Sequence, residues 1–436
     1  MLMMELFFCL FILHWVFIFS PNILISMWLL LMMYLYLNWG QGFYFSWGDE
    51  LGYQFSIYNY TLVILTLYII YISLQTMKFA DLNGLLLWLI SSLLAIIIVK
   101  CFMAKNLIMF YFFFESSLIP TFLFVFKWGH DKNSIVASLF MLFYTSIFSL
   151  PLLILMFNMF EVLDTVNFEL IDGFKLSPMM YVLVMLSMFV KLPVFLIHVW
   201  LPKAHVEAPV YGSMVLAALM LKLGGYGMLM MVNMFYSSEF ILDVLIYFLL
   251  VGSAHIAFFC LMQIDLKMMV AYSSVVHMMM MAAGILVNSD TTVVGAQVTM
   301  ISHGLCSSGL FYMVFLFYLQ TGSRLLPANK GLLSSNSKMM LMWFLLCSAN
   351  FSIPLSLNLV GELLLFVGMV SYSLILAIPL SFGCFFSVCY SIYMFIYISH
   401  GSSMNKIMLN SSDNYVLIIM HLLPLYTLMF NLNFFY

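Results

Sequence analysis

Four ionisable side chains lie near the middle of long apolar runs of the 436-residue sequence: Glu115, Lys191, Lys222 and Glu362. An isolated charge at the centre of a membrane-spanning helix costs roughly 2.5 to 3.5 kcal/mol on insertion scales. That cost has to be offset by pairing or by hydration. Because carboxylate and ammonium groups in a low dielectric control each other's protonation, the chemistry open to these residues is proton transfer.

Each of the four residues has small or helix-breaking neighbours. Small residues let helices approach closely, and proline frees backbone groups for other partners, so these neighbours indicate an interior face instead of a face against lipid. They are Ser116, Ser117 and Pro120 after Glu115, Pro193 after Lys191, Gly224 and Gly225 after Lys222, and Pro354 and Gly361 before Glu362.

The charges of Glu115 and Lys191 allow two interpretations. As a coupled pair, the two side chains would stabilise each other while both are charged, and a proton gained or lost by one would shift the other. As a purely structural ion pair, they would only lock the packing of the helices. Lys222 has no carboxylate close to it in the sequence, which weakens the structural interpretation there.

Two histidines fit the same chemistry. His277 and His303 lie in apolar runs beside hydroxyl-bearing or glycine residues, a setting that favours a hydrated proton relay. The remaining histidines of the apolar runs are expected in other places: His198 and His205 at the mouth of the far half of the seventh helix, and His14, His255 and His421 in packing roles.

The composition excludes a water-soluble enzyme. The sequence is 65% hydrophobic and 7% charged, with a mean hydropathy of +1.13, whereas soluble domains carry about 25% charged residues. A formal net charge of −3 argues against nucleic acid as a partner. The sequence has no phosphate-binding glycine loop, no H-E-x-x-H and no C-x-x-C. We therefore expect no metal site, cysteines that only pack, and redox chemistry in a partner.

The apolar runs predict an all-α polytopic membrane protein with about fourteen transmembrane helices. The seventh and twelfth runs are too long for one straight span and contain Pro193 and Pro354, so we expect both helices to be broken. The predicted helices cover residues 6–20, 22–38, 58–76, 84–102, 106–126, 135–160, 177–205, 212–234, 241–262, 267–286, 292–319, 337–370, 373–398 and 413–433.

The basic residues of the loops predict an orientation. Lysine and arginine resist translocation, so the loops that contain more of them face the interior compartment. Nine follow odd-numbered helices and three follow even-numbered helices, which places both termini on the outer side. The nine are Lys78, Lys127, Lys132, Lys203, Lys267, Arg324, Lys330, Lys338 and Lys406, and the three are Lys100, Lys105 and Lys175.

Helices 4–8 and 9–13 form two sets of five, and the proline-broken helix is the fourth member of each. An odd number of spans per set gives the two sets opposite orientations, which is the pattern of an inverted-repeat transporter. The alternative is two chance prolines in a long apolar chain. The predicted domains are three N-terminal helices (1–83), the first repeat (84–235), the second, inverted repeat (241–398) and a C-terminal helix (399–436).

Several segments carry a family resemblance. The segment KLPVFLIHVWLPKAHVEAPVYGSMVLAALMLKLGGYG, from Lys191 to Gly227, closely resembles the signature of the chain 4 family of respiratory NADH:ubiquinone oxidoreductase, or complex I. FESSLIPT, DLKMMVAYSSVVHM, MISHGLCSSGLF and NLVGEL match as well, in the family's order and spacing, over roughly residues 100–370. The fold is also similar to that of multisubunit sodium/proton antiporters.

The resemblance implies a proton-translocating, multi-pass subunit of the mitochondrial inner membrane. In that membrane, the charge bias of the loops predicts both termini on the intermembrane-space side. The resemblance also implies that Glu115 and Lys191 form a coupled pair and that Lys222 relays the proton along a central axis. NADH, FMN, iron–sulfur clusters and ubiquinone would be bound by other subunits, and the partners would be those subunits, including sister antiporter-like chains, and membrane lipids. The residues that continue the axis towards the next subunit or the exit would be His277, His303 and Glu362.

Three features depart from the family or stay open. Tyr211 stands where a small residue is more usual, and the first 80 residues match only weakly. Arg324 is expected to set the orientation, or else to pair with an acidic surface or lipid headgroups. The rival functions are a subunit of a sodium/proton antiporter, and a membrane scaffold whose buried charges only fix the packing of helices.

Overall fold

The computed structural model describes residues 57–76, 82–129, 133–163, 167–168, 171, 173–401 and 412–432, and this part of the chain is mostly helical. Apolar segments adopt helices in a membrane because a helix satisfies every backbone polar group within the segment. Within these residues, nine helical segments are long and apolar enough to cross a membrane, and three further apolar helices are shorter. The predicted helices at 6–20 and 22–38 lie outside the described residues.

The first half of the described chain contains seven helices and one strand of two residues, β1. The elements are α1 (Ile57–Gln75), α2 (Leu82–Phe102), α3 (Leu107–Ser116), α4 (Leu118–Trp128), α5 (Ser134–Leu163), β1 (Phe174–Lys175), α6 (Pro178–Lys191) and α7 (Trp200–Glu207).

The second half contains ten helices and the strand β2, which pairs in parallel with β1. The elements are α8 (Val210–Val215), α9 (Leu221–Met234), β2 (Phe235–Tyr236), α10 (Glu239–Cys260), α11 (Leu266–Val287), α12 (Asp290–Thr321), α13 (Leu332–Ser335), α14 (Ser337–Asn350), α15 (Leu357–Tyr372), α16 (Ala377–Ser399) and α17 (Ser412–Thr427). The segment Leu216–Met220 between α8 and α9 is π-helical, and Leu326–Asn329, Leu374–Leu376 and Leu428–Phe430 are 3₁₀ helices.

The centre of the bundle is formed by α11, α12 and the continuous segment Val210–Met234. These segments are 89%, 94% and 94% buried, whereas the outer helices α5 and α16 are only 33% buried. Lys222, His277 and His303 therefore lie on the three most enclosed spans, away from the surroundings of the protein.

The helix that begins at Pro178 stops at Lys191, two residues before Pro193, and helical structure resumes at Trp200. Proline has no N–H to continue a helix, and its ring clashes with the preceding turn. Leu196 has a positive φ of 76° within the break. Lys191 thus stands at a helix end whose last carbonyl groups need partners outside the helix.

A similar interruption lies between Asn350 and Leu357, around Pro354. Ser352 and Leu355 have φ values of 61° and 83°. Among the described residues, four positions other than glycine have positive φ, and three of them lie in the two breaks. Such conformations cost free energy in a residue with a side chain, so the surrounding packing must hold both breaks in place.

Two further irregularities lie next to ionisable residues. Ser117 separates α3 from α4 with φ −62° and ψ −21°, a small disturbance three residues before Pro120, which cannot donate to the carbonyl of the previous turn. The π-helical segment Leu216–Met220 ends two residues before Lys222. Single π-helical turns occur mostly inside α-helices and often at functional sites.

Glycines let the central helices approach closely. A β-carbon at Gly361 of α15 would lie 2.5 Å from the Thr299 methyl group and 2.9 Å from the Thr299 backbone nitrogen on α12. On α9, a β-carbon at Gly224 would lie 3.0 Å from the Leu192 nitrogen, whereas β-carbons at Gly225 and Gly227 would meet the methionine sulfurs of residues 300 and 188 at 2.7 and 2.6 Å.

We predict that Gly361→Ala destabilises the protein by about 2 kcal/mol, because the new methyl group meets backbone atoms that cannot move aside. The matched control is Gly383→Ala on α16, where the methyl group would lie 3.6 Å from Ser253 Oγ in ordinary contact. The control should be neutral or slightly stabilising, since alanine favours a helix over glycine. Thermal unfolding of the purified protein measures both, and equal midpoints for the two variants would contradict this account of the α12–α15 contact.

Candidate functional site

Lys191 is buried at the end of α6, with 2% of its surface exposed. Its ammonium group donates to the carbonyl oxygen of Phe114 and lies 3.4 Å from Ser117 Oγ. The Phe114 ring also faces the ammonium group, with its centroid 3.2 Å from Nζ, and aromatic faces attract cations. The residues around the irregularity in α3–α4 thus provide the partners of this buried cation.

Glu115 is half-buried beside this cluster, but the structure does not join it directly to Lys191. Within the described part of the chain, Glu115 Oε1 is buried without a hydrogen-bond partner, and no ion pair within 4.0 Å links the two side chains. The structure therefore brings the predicted pair into the same region without a direct ion pair between the two side chains.

The Glu115 side chain lines a groove of about 500 Å³ between α3 and α5. Its walls are apolar and include Ile108, Phe112 and Phe157, all of which are exposed on the outside of the bundle. Glu115 consequently lies between the interior cluster of Lys191 and the surroundings of the protein.

Lys222 has no exposed surface. Its Nζ donates to the carbonyl oxygen of Ala217 at 2.8 Å, which belongs to the π-helical segment, and lies 3.0 Å from Nδ1 of His303 on α12. The partner missing from the neighbouring sequence is thus a histidine 81 positions later. We call Lys222 and His303 the inner pair.

His277 on α11 forms a second hydrogen-bonded group. Its Nδ1 lies 3.2 Å from Glu362 Oε1 on α15, and its Nε2 lies 3.2 Å from the Tyr390 hydroxyl group on α16. Tyr390 is completely buried, whereas Glu362 keeps 15% of its side chain exposed. We call His277, Glu362 and Tyr390 the outer triad.

The inner pair and the outer triad are neighbours that do not touch by a hydrogen bond. The ring centroids of His277 and His303 are 5.7 Å apart. Both His277 nitrogens already face Glu362 and Tyr390, and a hydrogen bond between the two described histidines is absent. The structure therefore holds two hydrogen-bonded groups of titratable side chains side by side, without a hydrogen bond between them.

The other histidines take up different positions. His205 is buried with its ring stacked on Phe311, at 4.7 Å between centroids. His198 packs between Phe195 and Tyr272. His421 is buried and its Nδ1 contacts the Leu417 carbonyl oxygen of its own helix at 2.8 Å, a packing position. His255 packs on Phe195 with its residue exposed, and His14 lies outside the described residues.

The C-terminal end of α7 and the residue that follows it are contacted by two cations, one at the start of α11 and one in the loop after α12. Lys267 Nζ donates to the carbonyl oxygen of Ala208 at 2.8 Å, and Arg324 Nη1 donates to that of Val206 at 2.8 Å. Arg324 therefore anchors the end of the second half of the broken helix, a role that its loop position in the sequence did not predict. Tyr211, the departure from the family pattern, packs edge-on against Phe124.

Three residues of the site were not singled out by the sequence as proton partners: Phe114, Ser117 and Tyr390. Ser117 could have been found from the sequence, because it follows Glu115 by two residues. Tyr390 could not, because nothing in the sequence distinguishes it from the other tyrosines, of which the chain has 25 in all. Groups of three or more His, Cys, Asp or Glu side chains able to hold a metal ion do not occur among the described residues. The arrangement is suited to storing and passing protons.

We predict that His303→Leu destabilises the protein by about 2 kcal/mol, because it leaves the buried Lys222 ammonium group without its side-chain partner. Adding Lys222→Met should recover most of this loss, since replacing both partners by apolar groups is close to neutral. Thermal unfolding of the single and double variants measures the effect. His421→Leu is the control: it also removes a buried imidazole, and Lys222→Met should not rescue it. Additive effects of His303→Leu and Lys222→Met would contradict the inner pair.

The chain matches the family model described as the transmembrane part of the NADH:quinone oxidoreductase and Mrp antiporter family over residues 104–387. It is 40% identical over 390 residues to NADH-ubiquinone oxidoreductase chain 4 of Apis mellifera ligustica, which covers 87% of this chain and 86% of that protein. The chain 4 protein of Lumbricus terrestris is 38% identical over 385 residues, covering 85% of each chain.

Solved structures share the fold. A chain of respiratory complex I from Thermus thermophilus with bound NADH superimposes with a TM-score of 0.78 at 20% identity, covering 86% of this chain and 81% of that chain. A chain of the Mrp complex from Dietzia sp. gives a TM-score of 0.73 at 19% identity, covering 85% and 42%. The fold is common to both kinds of complex, and the identity to the curated relatives selects between them: this chain belongs to the NADH-ubiquinone oxidoreductase chain 4 family.

Proposed function

We propose that this chain is a proton-translocating membrane subunit of NADH:ubiquinone oxidoreductase in the mitochondrial inner membrane. The observation that carries the proposal is a series of buried or half-buried ionisable side chains, each on a different helix. In order they are Glu115 on α3, Lys191 on α6, Lys222 on α9, His303 on α12, His277 on α11 and Glu362 on α15. A bundle that needed only stability would place apolar residues there, since buried ionic groups rarely add stability.

Several members of the series lie on segments that contact one another. Phe114 and Ser117, on either side of Glu115, hold the Lys191 ammonium group, and α9 passes directly against Lys191, because a β-carbon at Gly224 would lie 3.2 Å from Lys191 Cβ. Lys222 precedes Gly224 by two residues and contacts His303. A change in protonation at one end can therefore shift the proton affinity of the next group along the series.

The proton-transfer residues are Glu115, Lys191, Lys222, His277, His303 and Glu362. The electrons travel elsewhere: NADH, FMN, the iron–sulfur clusters and ubiquinone are bound by other subunits of the complex. Those subunits, including the sister antiporter-like chains, are the partners of this chain together with membrane lipids. A subunit of a sodium/proton antiporter is the second candidate, which the shared fold of the Mrp complex favours. Co-purification with flavin and iron–sulfur subunits distinguishes the two.

The finer architecture is fourteen transmembrane helices with two inverted repeats of five, 84–235 and 241–398, between an N-terminal segment, 1–83, and a C-terminal helix, 399–436. The two breaks support the repeats. Each lies in the fourth member of its set, each contains a proline, and each contains positive φ values, at Leu196 in one and at Ser352 and Leu355 in the other.

Contacts between loops support the prediction that the loops after even-numbered helices lie together on the outer side. In the fourteen-helix numbering, loops on this side follow even-numbered helices, and those loops contact one another. β1, after helix 6, pairs with β2, after helix 8. Asn106, at the start of helix 5, forms a bridge with Asn167, after helix 6. The Tyr372 hydroxyl group, after helix 12, donates to Asp243 at the start of helix 9.

The loops after odd-numbered helices also contact one another. Asp265, after helix 9, forms a bridge with Leu325, after helix 11. Arg324 donates to the Val206 carbonyl oxygen after helix 7, and the Gly331 N–H donates to the His400 carbonyl oxygen after helix 13 at 3.1 Å. These are the basic loops, which face the matrix, so both termini lie on the intermembrane-space side.

We predict that Lys338→Cys reacts with a membrane-impermeant thiol reagent only from the matrix side and Glu239→Cys only from the intermembrane-space side. Both residues are exposed at the start of a helix, and the six described native cysteines are buried or half-buried, which limits background labelling. Labelling in mitoplasts and in inside-out vesicles separates the two sides. The opposite pattern would invert the orientation.

We predict that Glu115→Gln abolishes or strongly reduces proton pumping by the assembled complex. Glutamine keeps the shape of the side chain and its hydrogen-bonding ability while removing the titratable proton. Pumping by the reconstituted complex, NADH oxidation and assembly are measured in one preparation. The control is Glu239→Gln, which neutralises an exposed carboxylate at the start of α10 and should leave all three unchanged.

The outcome separates function from packing. Loss of pumping or of coupled turnover in a fully assembled complex supports the role of Glu115 in proton transfer. Unchanged pumping together with reduced stability would make Glu115 a packing residue, and the path would then have to start at Lys222 and continue to Glu362.

A further inference from the structure

The outer triad leaves no nitrogen of His277 available for His303. A neutral imidazole has one N–H donor and one bare nitrogen that accepts. Here Nδ1 faces Glu362 Oε1 at 3.2 Å and Nε2 faces the Tyr390 hydroxyl group at 3.2 Å. Because a hydroxyl group can donate or accept, Tyr390 can satisfy Nε2 in either tautomer.

His303 is in a different situation. Its Nδ1 lies 3.0 Å from Lys222 Nζ, and its ring centroid lies 5.7 Å from that of His277. A proton passes directly between two imidazoles only when their nitrogens are within hydrogen-bonding distance, about 3 Å. In the structure, Nε2 of His277 is turned to Tyr390 instead.

We propose that Tyr390 is a positioning residue that keeps His277 turned away from His303 and so separates the inner pair from the outer triad. The inference rests on the proton-translocating function proposed above. The series of ionisable residues is interrupted between α11 and α12, and the interruption closes when His277 leaves Tyr390. Tyr390 itself transfers no proton in this step.

The proton balance of the closing step is simple. With Nε2 bare and turned to His303, His277 accepts a proton from an N–H of His303 and releases its Nδ1 proton to the Glu362 carboxylate. His277 ends as the other neutral tautomer, Glu362 ends protonated, and His303 recovers a proton from the Lys222 ammonium group. Returning to Tyr390 then restores the gap behind the transferred proton.

The position of Tyr390 fits this role. It is completely buried on α16, an outer helix that is only one-third buried overall. The same helix exposes Tyr393, one turn later, and Ile396 on its other face. A small shift of α16 against its surroundings would therefore move the Tyr390 hydroxyl group relative to His277, whose helix lies at the centre of the bundle.

The test is Tyr390→Phe in the intact complex reconstituted into vesicles. Loss of one hydrogen bond shifts the equilibrium of His277 between its two partners by about fivefold. We expect the proton leak through the idle complex, measured as the decay of an imposed pH gradient, to rise by a similar factor, and fewer protons to be pumped per NADH. Tyr393→Phe removes the same group from the exposed face of the same helix and is the matched control.

A second variant shows whether the leak uses the proposed path. Adding His303→Gln to Tyr390→Phe removes the imidazole across the gap, so the extra leak should disappear. A hydroxyl group that only supports packing would give no leak that depends on His303. If Tyr390→Phe keeps the leak and the pumping yield of the unchanged complex, or fails to assemble, the positioning role is overturned.

A parallel measurement separates this inference from the proposed function. Lys222→Met interrupts the series on the other side of the gap. If Lys222→Met leaves pumping unchanged, the proton-transfer function of the series itself fails. If Lys222→Met stops pumping while Tyr390→Phe behaves like Tyr393→Phe, the function stands and only the separation by Tyr390 is wrong.

Discussion

A charge without water around it has to find its partners in the protein, and this constraint shapes the centre of the molecule. Lys191 and Lys222 are both completely or almost completely buried, and both use backbone carbonyl groups as partners, those of Phe114 and Ala217. In an ordinary helix, the carbonyl groups accept hydrogen bonds from N–H groups of the same helix. The irregular segments of this bundle are therefore the places where cations can be held without a carboxylate in contact.

The irregular segments differ in how far the sequence predicts them. Pro193 and Pro354 lack the N–H that a helix needs, so interruptions near them could be expected from local chemistry alone. The disturbance at Ser117 lies three residues before Pro120 and has the same local cause, whereas the π-helical segment before Lys222 contains no proline and its sequence gives no comparable signal. Boundaries set by tertiary contacts stay hidden from a reading of one segment at a time.

The same distinction holds for the candidate site, where the sequence predicted the titratable residues but not the groups that contact them. Residue type and position within an apolar run identified Lys222, His303 and Glu362, because a titratable group there is costly. The sequence did not predict the partners of these residues, because the partners are far away along the chain. His303 lies 81 positions from Lys222, and Tyr390 lies 113 positions from His277. The groups that contact the Lys191 ammonium group belong to Phe114 and Ser117, 77 and 74 positions away. Pairing across such distances is decided by the fold.

The contacts of α9 at its three glycines differ in mechanical character. At Gly224 the helix rests on the backbone nitrogen of Leu192, a hard contact, whereas at Gly225 and Gly227 it rests on the sulfur atoms of methionines 300 and 188. Thioether side chains are flexible and polarisable and can refill a gap that changes shape. The helix that carries Lys222 thus has a rigid contact at Gly224 and deformable methionine contacts at Gly225 and Gly227. Branched side chains in place of these methionines would resist a small displacement of α9 more strongly.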